Sequence, residues 1–202
     1  VEMRIDSREK DVWYQRTFHT PAGKLSDVIQ FARPDMGGGD GPNPHRVEPL
    51  VKKTRDLGSL AYLYPTPRRD LIEDIPLVLA EVGDRAVLAA VDCTHAGSWG
   101  MEVLGPEQML VASLTDVELL QGVCRMANDA HLRNLRAMLE QGLEVVFDSW
   151  FQCGPSVGWS PQTYEEVFLP LVREAVQLTH EFDAIYIYQD DGKQRDIIPL
   201  LV

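Results

Sequence analysis

Leu143 to Val172, LEVVFDSWFQCGPSVGWSPQTYEEVFLPLV, is the stretch that decides the fold. Glu144-Val145-Val146-Phe147 is a short apolar run with β-branched residues, the pattern of a strand buried on both faces. It runs straight into Asp148 and Ser149, polar groups placed where a buried parallel strand would emerge. A loop with Gly154, Pro155 and Gly158 follows, and Ser160-Pro161 then opens a helix. Serine suits the N-cap, proline the first helical position, and Glu165 and Glu166 suit the positive end of the helix dipole. Strand, polar strand end, loop and capped helix make one βα unit. In α/β proteins ligands bind at the carboxyl ends of such strands.

The same construction recurs on either side. Ala86 to Val91 is an apolar run that ends in Asp92-Cys93-Thr94-His95, and Ala184 to Tyr188 is another that ends in Gln189-Asp190-Asp191-Gly192. Between the first two strands the apolar residues Val117, Leu120, Val123, Cys124, Ala127, Ala130, Leu135 and Met138 step mostly by three and four. That spacing predicts a helix over 116–141, with Thr115 as N-cap and Gly142 as its stop. Another helix is expected over 161–182. Strands alternating with amphipathic helices predict a parallel sheet with right-handed crossovers.

The first third reads differently. Glu2 to Ile5 and Val12 to Phe18 alternate apolar and polar residues around a polar turn, which predicts a hairpin, and Thr20-Pro21-Ala22-Gly23 is a second turn. Arg33 to Arg46 holds Gly37, Gly38, Gly39, Gly41, Pro42 and Pro44, a surface loop rather than a phosphate cradle. Helices are expected over 54–64 and 67–82.

Composition narrows the function. The chain has 202 residues, is 45% hydrophobic and carries a net charge of −12. It is long enough for one substantial core, and its acidity argues against nucleic acid and against an acidic membrane surface. Three cysteines without a CxxC spacing make no disulfide framework, which points to a reducing cytoplasm. No apolar run approaches membrane-span length. A closed barrel of eight βα units takes roughly 200 to 400 residues, and only three units are clear. The expected architecture is therefore α/β, the central part of a TIM-type (β/α)8 barrel with an N-terminal β-hairpin extension. Residues 1–202 form a single domain incomplete at both ends, expected either to associate with itself or to be a window on a longer protein.

Several blocks resemble the uroporphyrinogen decarboxylase family, which includes the haem-pathway decarboxylase and corrinoid-linked methyltransferases on the same barrel. Thr20-Pro21-Ala22-Gly23-Lys24-Leu25 looks like the hairpin of the methyltransferase branch. Val47-Glu48-Pro49-Leu50-Val51-Lys52 with Asp56-Leu57 is similar to a second block of that branch. Phe147-Asp148-Ser149-Trp150 resembles the decarboxylase strand end, and Ser160-Pro161 with Phe168-Leu169-Pro170 the helix behind it. Tyr188 to Gly192 falls where the methyltransferases carry His-x-Cys-Gly.

The departures are informative. The resemblance implies that the decarboxylase arginines that hold substrate propionates would precede Val1, and only Ser149 matches a substrate-contacting position. The methyltransferases hold zinc through His, Cys and a later Cys. Here Gln189 stands in the His position and Asp191 in the first Cys position, while the third position lies beyond Val202. A Gln and an Asp are harder, weaker ligands, so tightly held zinc is not expected.

Asp148 is the first candidate residue: a carboxylate at a strand end can bond pyrrole N–H groups, ligate a metal or transfer a proton. It can equally cap a loop or pair with an arginine. Ser149 can donate to a substrate carboxylate or to backbone. Asp92 and His95 suit a proton-transferring carboxylate–imidazole pair, against a purely structural histidine. Asp191 beside Asp190 can share a proton or bind a cation, or form a solvated turn. Cys153 can complete a metal set with His95 and Asp191 or be a small, partly buried cysteine, and nothing in the spacing demands the metal set. Trp99, Trp150 and Trp159 are expected in loops at the site end, stacked on a planar macrocycle or packed onto helices. With Gln189 and Asp191, Trp99 and Trp150 complete the expected substrate-binding set.

The leading expectation is a uroporphyrinogen decarboxylase-like lyase of the porphyrin-biosynthesis type. It would act without a cofactor on a tetrapyrrole or similar anionic ring. The alternative is a methyltransferase of the same family, with zinc or corrinoid. A third is a tetrapyrrole- or corrinoid-binding protein without catalysis, or an incomplete barrel that works only with another chain. The expected partner is a small molecule, tetrapyrrole-like on the leading reading.

Overall fold

The computed structural model describes residues 1–7, 11–32, 45–64, 72–92, 95–150, 153–191 and 194–201. Cys93, Thr94, Gly192, the glycine-rich stretch up to Pro44 and the start of the helix expected from Pro67 lie outside the described residues, as does the side chain of Asp92.

Four strands, β1 (Glu2–Ser7), β2 (Asp11–Thr20), β3 (Gly23–Ala32) and β4 (His45–Glu48), form an antiparallel sheet in sequence order. The expected hairpin is thus half of a larger sheet, and His45 and Arg46 leave the expected loop to pair as β4. β3 buries Leu25, Asp27 and Ile29 on one face. The charged Asp27 interrupts the apolar alternation, and its partners come from other strands. Arg16 Nε donates to its Oδ1 at 2.9 Å, and Arg16 and Arg46 both donate to its Oδ2. That hydrogen bond first, and the carboxylate charge after it, hold the Arg16 guanidinium above its usual pKa. Arg46 also reaches Glu102 at 3.0 Å, which ties this sheet to the helical body.

The helix expected over 54–64 is shorter, a 3₁₀ turn at Thr54–Asp56 and α1 at Leu57–Leu60. α2 spans Ile75–Val82 and ends at Gly83. The strand expected over 86–91 is confined to β5 (Ala89–Asp92), because pairing starts only at Ala89 opposite Val145. Two helices follow where none was expected, α3 (Ala96–Val103) and α4 (Pro106–Thr115). Trp99 therefore lies in a helix and not in a loop.

α5 (Val117–Leu139) confirms the long amphipathic helix. Its N-cap is Asp116, whose Oδ1 accepts from the Leu119 N–H at 3.1 Å. Thr115, expected in that role, instead donates to the Val111 carbonyl and closes α4. Gly142 adopts φ +88°, the left-handed stop its position predicts. β6 (Val145–Ser149) leads through the loop to Ser160, which caps as expected, accepting from the Thr163 N–H at 3.0 Å. A π turn over Tyr164–Phe168 then leads into α6 (Leu169–His180). There the Leu169 N–H bonds the Tyr164 carbonyl, five residues back, just ahead of Pro170, which has no N–H to give. β7 (Ile185–Gln189) and α7 (Ile198–Leu201) complete the chain.

β5, β6 and β7 form a parallel sheet in that order. Val146 and Ala184 pack with Leu135 and Leu139 of α5 and Ala175 and Leu178 of α6. On the opposite face of β7, Ile185 and Ile187 are 62% and 40% exposed. Among the described residues this parallel sheet has three strands and is open; it does not close into a barrel. No helix among them is long and apolar enough to cross a membrane.

Candidate functional site

Strand register brings the expected residues to one end of the sheet. Asp92 lies beside Asp148, Asp148 beside Tyr188, and Ser149 beside Gln189. Alternation along a strand then sends neighbours to opposite faces. Asp148 turns toward α5, and Ser149 turns to the face that carries Ile187 and Gln189. The expectation of one cavity lined by both is corrected by this alternation. The end is shared, but the side chains divide between two faces.

On the helix side Asp148 is fully buried. Its Oδ2 accepts from the Tyr186 hydroxyl at 2.5 Å and lies 3.0 Å from Nε2 of His131, which α5 supplies. The Tyr186 oxygen in turn accepts from the Trp150 indole N–H at 2.8 Å. Burial, and after it the Asp148 charge, push the Tyr186 hydroxyl well above its usual pKa, so it remains a donor. Asp148 Oδ1 has no hydrogen-bond partner among the described residues. Trp150 is fully buried, and its ring stacks on His95 at 4.9 Å, so it offers no open face to a macrocycle.

His95 caps α3: its Nδ1 accepts from the Gly97 N–H at 3.2 Å. A neutral ring then carries its proton on Nε2, which lies 3.2 Å from Ser98 Oγ. His95 is fully buried, a cap as well as a stacking partner. Its pairing with Asp92 remains a proposal. Trp159 packs edge-on against Phe168 at 5.1 Å, and Trp99 tilts against Tyr64 at 5.1 Å. The tryptophans are thus mainly packing groups.

The other face carries a chain of hydrogen bonds. Ser149 Oγ donates to Gln189 Oε1, and Gln189 Nε2 donates to Asp191 Oδ1 at 2.8 Å. The Asp191 carbonyl accepts from Ser156 Oγ at 2.7 Å and from Gln194 Nε2 at 2.5 Å, fixing the turn. Asp191 itself is exposed.

Asp190 goes elsewhere. Its Oδ2 accepts from Tyr188, whose oxygen lies 3.2 Å from the Tyr164 hydroxyl, and its Oδ1 accepts from the Asp191 N–H. Asp190 and Asp191 thus take separate partners instead of sharing a proton. Gly154 lies against the Asp190 carboxylate, where any Cβ would collide with it. Desolvation raises the Asp190 pKa. A carboxyl with a raised folded-state pKa contributes stability below its unfolded pKa, and that contribution is lost as pH rises through the folded value. Asp190→Asn should therefore lose less stability than the wild type between the ordinary carboxylate range and neutrality. Unfolding midpoints across that pH range check this, and parallel curves for the two proteins would contradict it.

Cys153 is fully buried and burial pushes its thiol well above the usual range, while Cys124 is pushed up to about 12 by the same cause. Both are packed as small core residues. Among the described residues no three His, Cys, Asp or Glu side chains come together as a ligand set. The possible set of Cys153, His95 and Asp191 is therefore not formed.

His131, Tyr186 and Tyr188 were missed in the sequence. His131 lies four residues after Ala127 and four before Leu135, on the buried stripe of α5, and that spacing was the available signal. Tyr186 shares the helix-facing side with Asp148 by the same alternation that separates Asp148 from Ser149.

No protein-family model matches this chain, and no curated protein matches it. Among solved structures, a methyltransferase from Methanosarcina mazei has a similar fold. The TM-score is 0.61 at 15% identity, over 76% of this chain and 45% of that one. At that identity the likeness shows the fold alone. The chain spans less than half the length of the methyltransferase it matches.

Proposed function

We propose that this chain is a methyltransferase-type member of the uroporphyrinogen decarboxylase-like barrels. It would transfer a methyl group between a small substrate and a corrinoid. The observation that carries this reading is the fold shared with a methyltransferase over three-quarters of the chain. The Thr20–Leu25 hairpin block, which resembles the methyltransferase branch, supports the same reading; in its turn Thr20 Oγ1 donates to the Gly23 carbonyl at 2.9 Å. On this reading the three parallel strands are part of a (β/α)8 barrel, and ligands approach the Ser149–Gln189–Asp191 face.

The leading expectation, decarboxylation of a tetrapyrrole, has less support. Among the described residues no guanidinium or ammonium bonds to Ser149, Gln189, Asp190 or Asp191, and the chain carries a net charge of −12. A ring bearing several propionates gains nothing from such a strand end, since neighbouring anions repel it. A corrinoid supplies a cobalt-borne methyl group when bound, and the role left to Ser149, Gln189 and Asp191 is to hold the other substrate in line with it.

Two assays separate the readings. The visible spectrum of methylcob(III)alamin should change in the presence of the protein and a mixture of small alcohols and amines. Uroporphyrinogen incubated with the protein should keep all its carboxyl groups by chromatography. The reverse result, carboxyl loss with an unchanged corrinoid spectrum, would return the decarboxylase reading.

A further inference from the structure

We infer that the end of β7 is a metal-free hydrogen-bond relay, Ser149 to Gln189 to Asp191, occupying the place of a zinc–thiolate centre. The argument is the donor set itself. Gln189 is a neutral amide whose oxygen already accepts from Ser149 and whose nitrogen already donates to Asp191. Zinc at this point would find, among the described residues, one amide oxygen and one carboxylate, two hard, weak ligands with no thiolate or imidazole beside them.

The neighbouring groups do not make up the deficit. Asp190 is held by Tyr188 and the Asp191 N–H, and His95 Nδ1 accepts from the Gly97 N–H in capping α3. Cys153 is fully buried. Metal binding needs deprotonated donors, and among the described residues no three His, Cys, Asp or Glu side chains gather at this end of the sheet.

The relay also indicates what is recognised in place of a thiol. A carboxylate has about four acceptor positions, and Gln189 fills one on Asp191. The relay therefore ends in spare acceptors and matches a substrate head group that donates, an ammonium or a hydroxyl. This choice of reacting group rests on the methyl-transfer reading; the absence of zinc does not.

The test uses the purified chain with zinc, and with methylcob(III)alamin in a parallel sample. The protein is loaded with zinc, dialysed against a mild chelator and analysed for metal, with cooperative unfolding measured on the same sample. The expected result is a folded chain with far less than one zinc per molecule. Near-stoichiometric zinc that is lost in Asp191→Ala would overturn the inference. Zinc retained equally by wild type and Asp191→Ala would lie elsewhere, and the relay would stand. A chain that holds neither zinc nor corrinoid loses the methyl-transfer reading and keeps the relay. A chain that holds both, with zinc dependent on Asp191, does the opposite.

Discussion

Asp148→Ala should lose about 3–4 kcal/mol of folding stability, at the upper end of the cost of removing a buried hydrogen-bond acceptor. The carboxylate lies fully buried between three elements. It accepts from Tyr186 of β7 and faces His131 of α5, and Tyr186 carries the Trp150 indole in turn. Truncation removes the acceptor of the Tyr186 phenol and the carboxylate that faces His131, and a buried hydroxyl without its acceptor costs desolvation. Against a typical total of about 5–15 kcal/mol, such a loss is a large share. Asp148→Asn, which keeps the shape and one acceptor, should cost less, about 1–3 kcal/mol. Urea midpoints at unchanged slope measure both. An Asp148→Ala midpoint within about 0.5 kcal/mol of wild type would place the residue among ordinary surface positions and contradict the structural role.

Asp27→Ala should cost about 3 kcal/mol, for a related reason in the other sheet. Asp27 is fully buried and gathers Arg16 from β2 and Arg46 from β4. Without it two guanidinium groups repel each other across the sheet, and among the described residues Arg46 retains Glu102. The damage should be local. Amide exchange should accelerate at the β3–β4 pairing around Val28, Ile29 and Gln30 before it does in β5–β7. Equal acceleration in both sheets would mean that Asp27 supports the whole core and not its own sheet.

These two carboxylates also mark where the sequence was legible. The βα unit after Leu143 was readable because apolar run, polar strand end and Ser160-Pro161 cap are all local signals, and β6, the cap and the following helix formed there. The long helix was readable from its spacing. The parallel sheet followed from alternating elements, whereas closure into a barrel is not seen among the described residues.

The antiparallel sheet was underread because Asp27 breaks the apolar pattern of β3. Its burial makes sense only beside Arg16 and Arg46, 11 and 19 residues away. The site was legible in position and misjudged in orientation. Asp148 and Ser149 were placed at the right strand end, but period-two alternation had to be applied to separate them. His131 was hidden beside Asn128 and Asp129, where a polar residue on a buried stripe leaves only a spacing signal. The tryptophans were placed by composition alone, and composition does not say that Trp150 has His95 beneath its ring.

We propose that a methyl-carrying corrinoid, and not a polycarboxylate ring, is the large ligand of this chain, with substrate held at the Ser149–Gln189–Asp191 face. Equilibrium dialysis of the purified chain against methylcob(III)alamin, with uroporphyrin in parallel, tests it most directly. The account predicts saturable binding of the corrinoid and none of uroporphyrin. Saturable binding of uroporphyrin, with no retention of the corrinoid by a cooperatively folded chain, would contradict it.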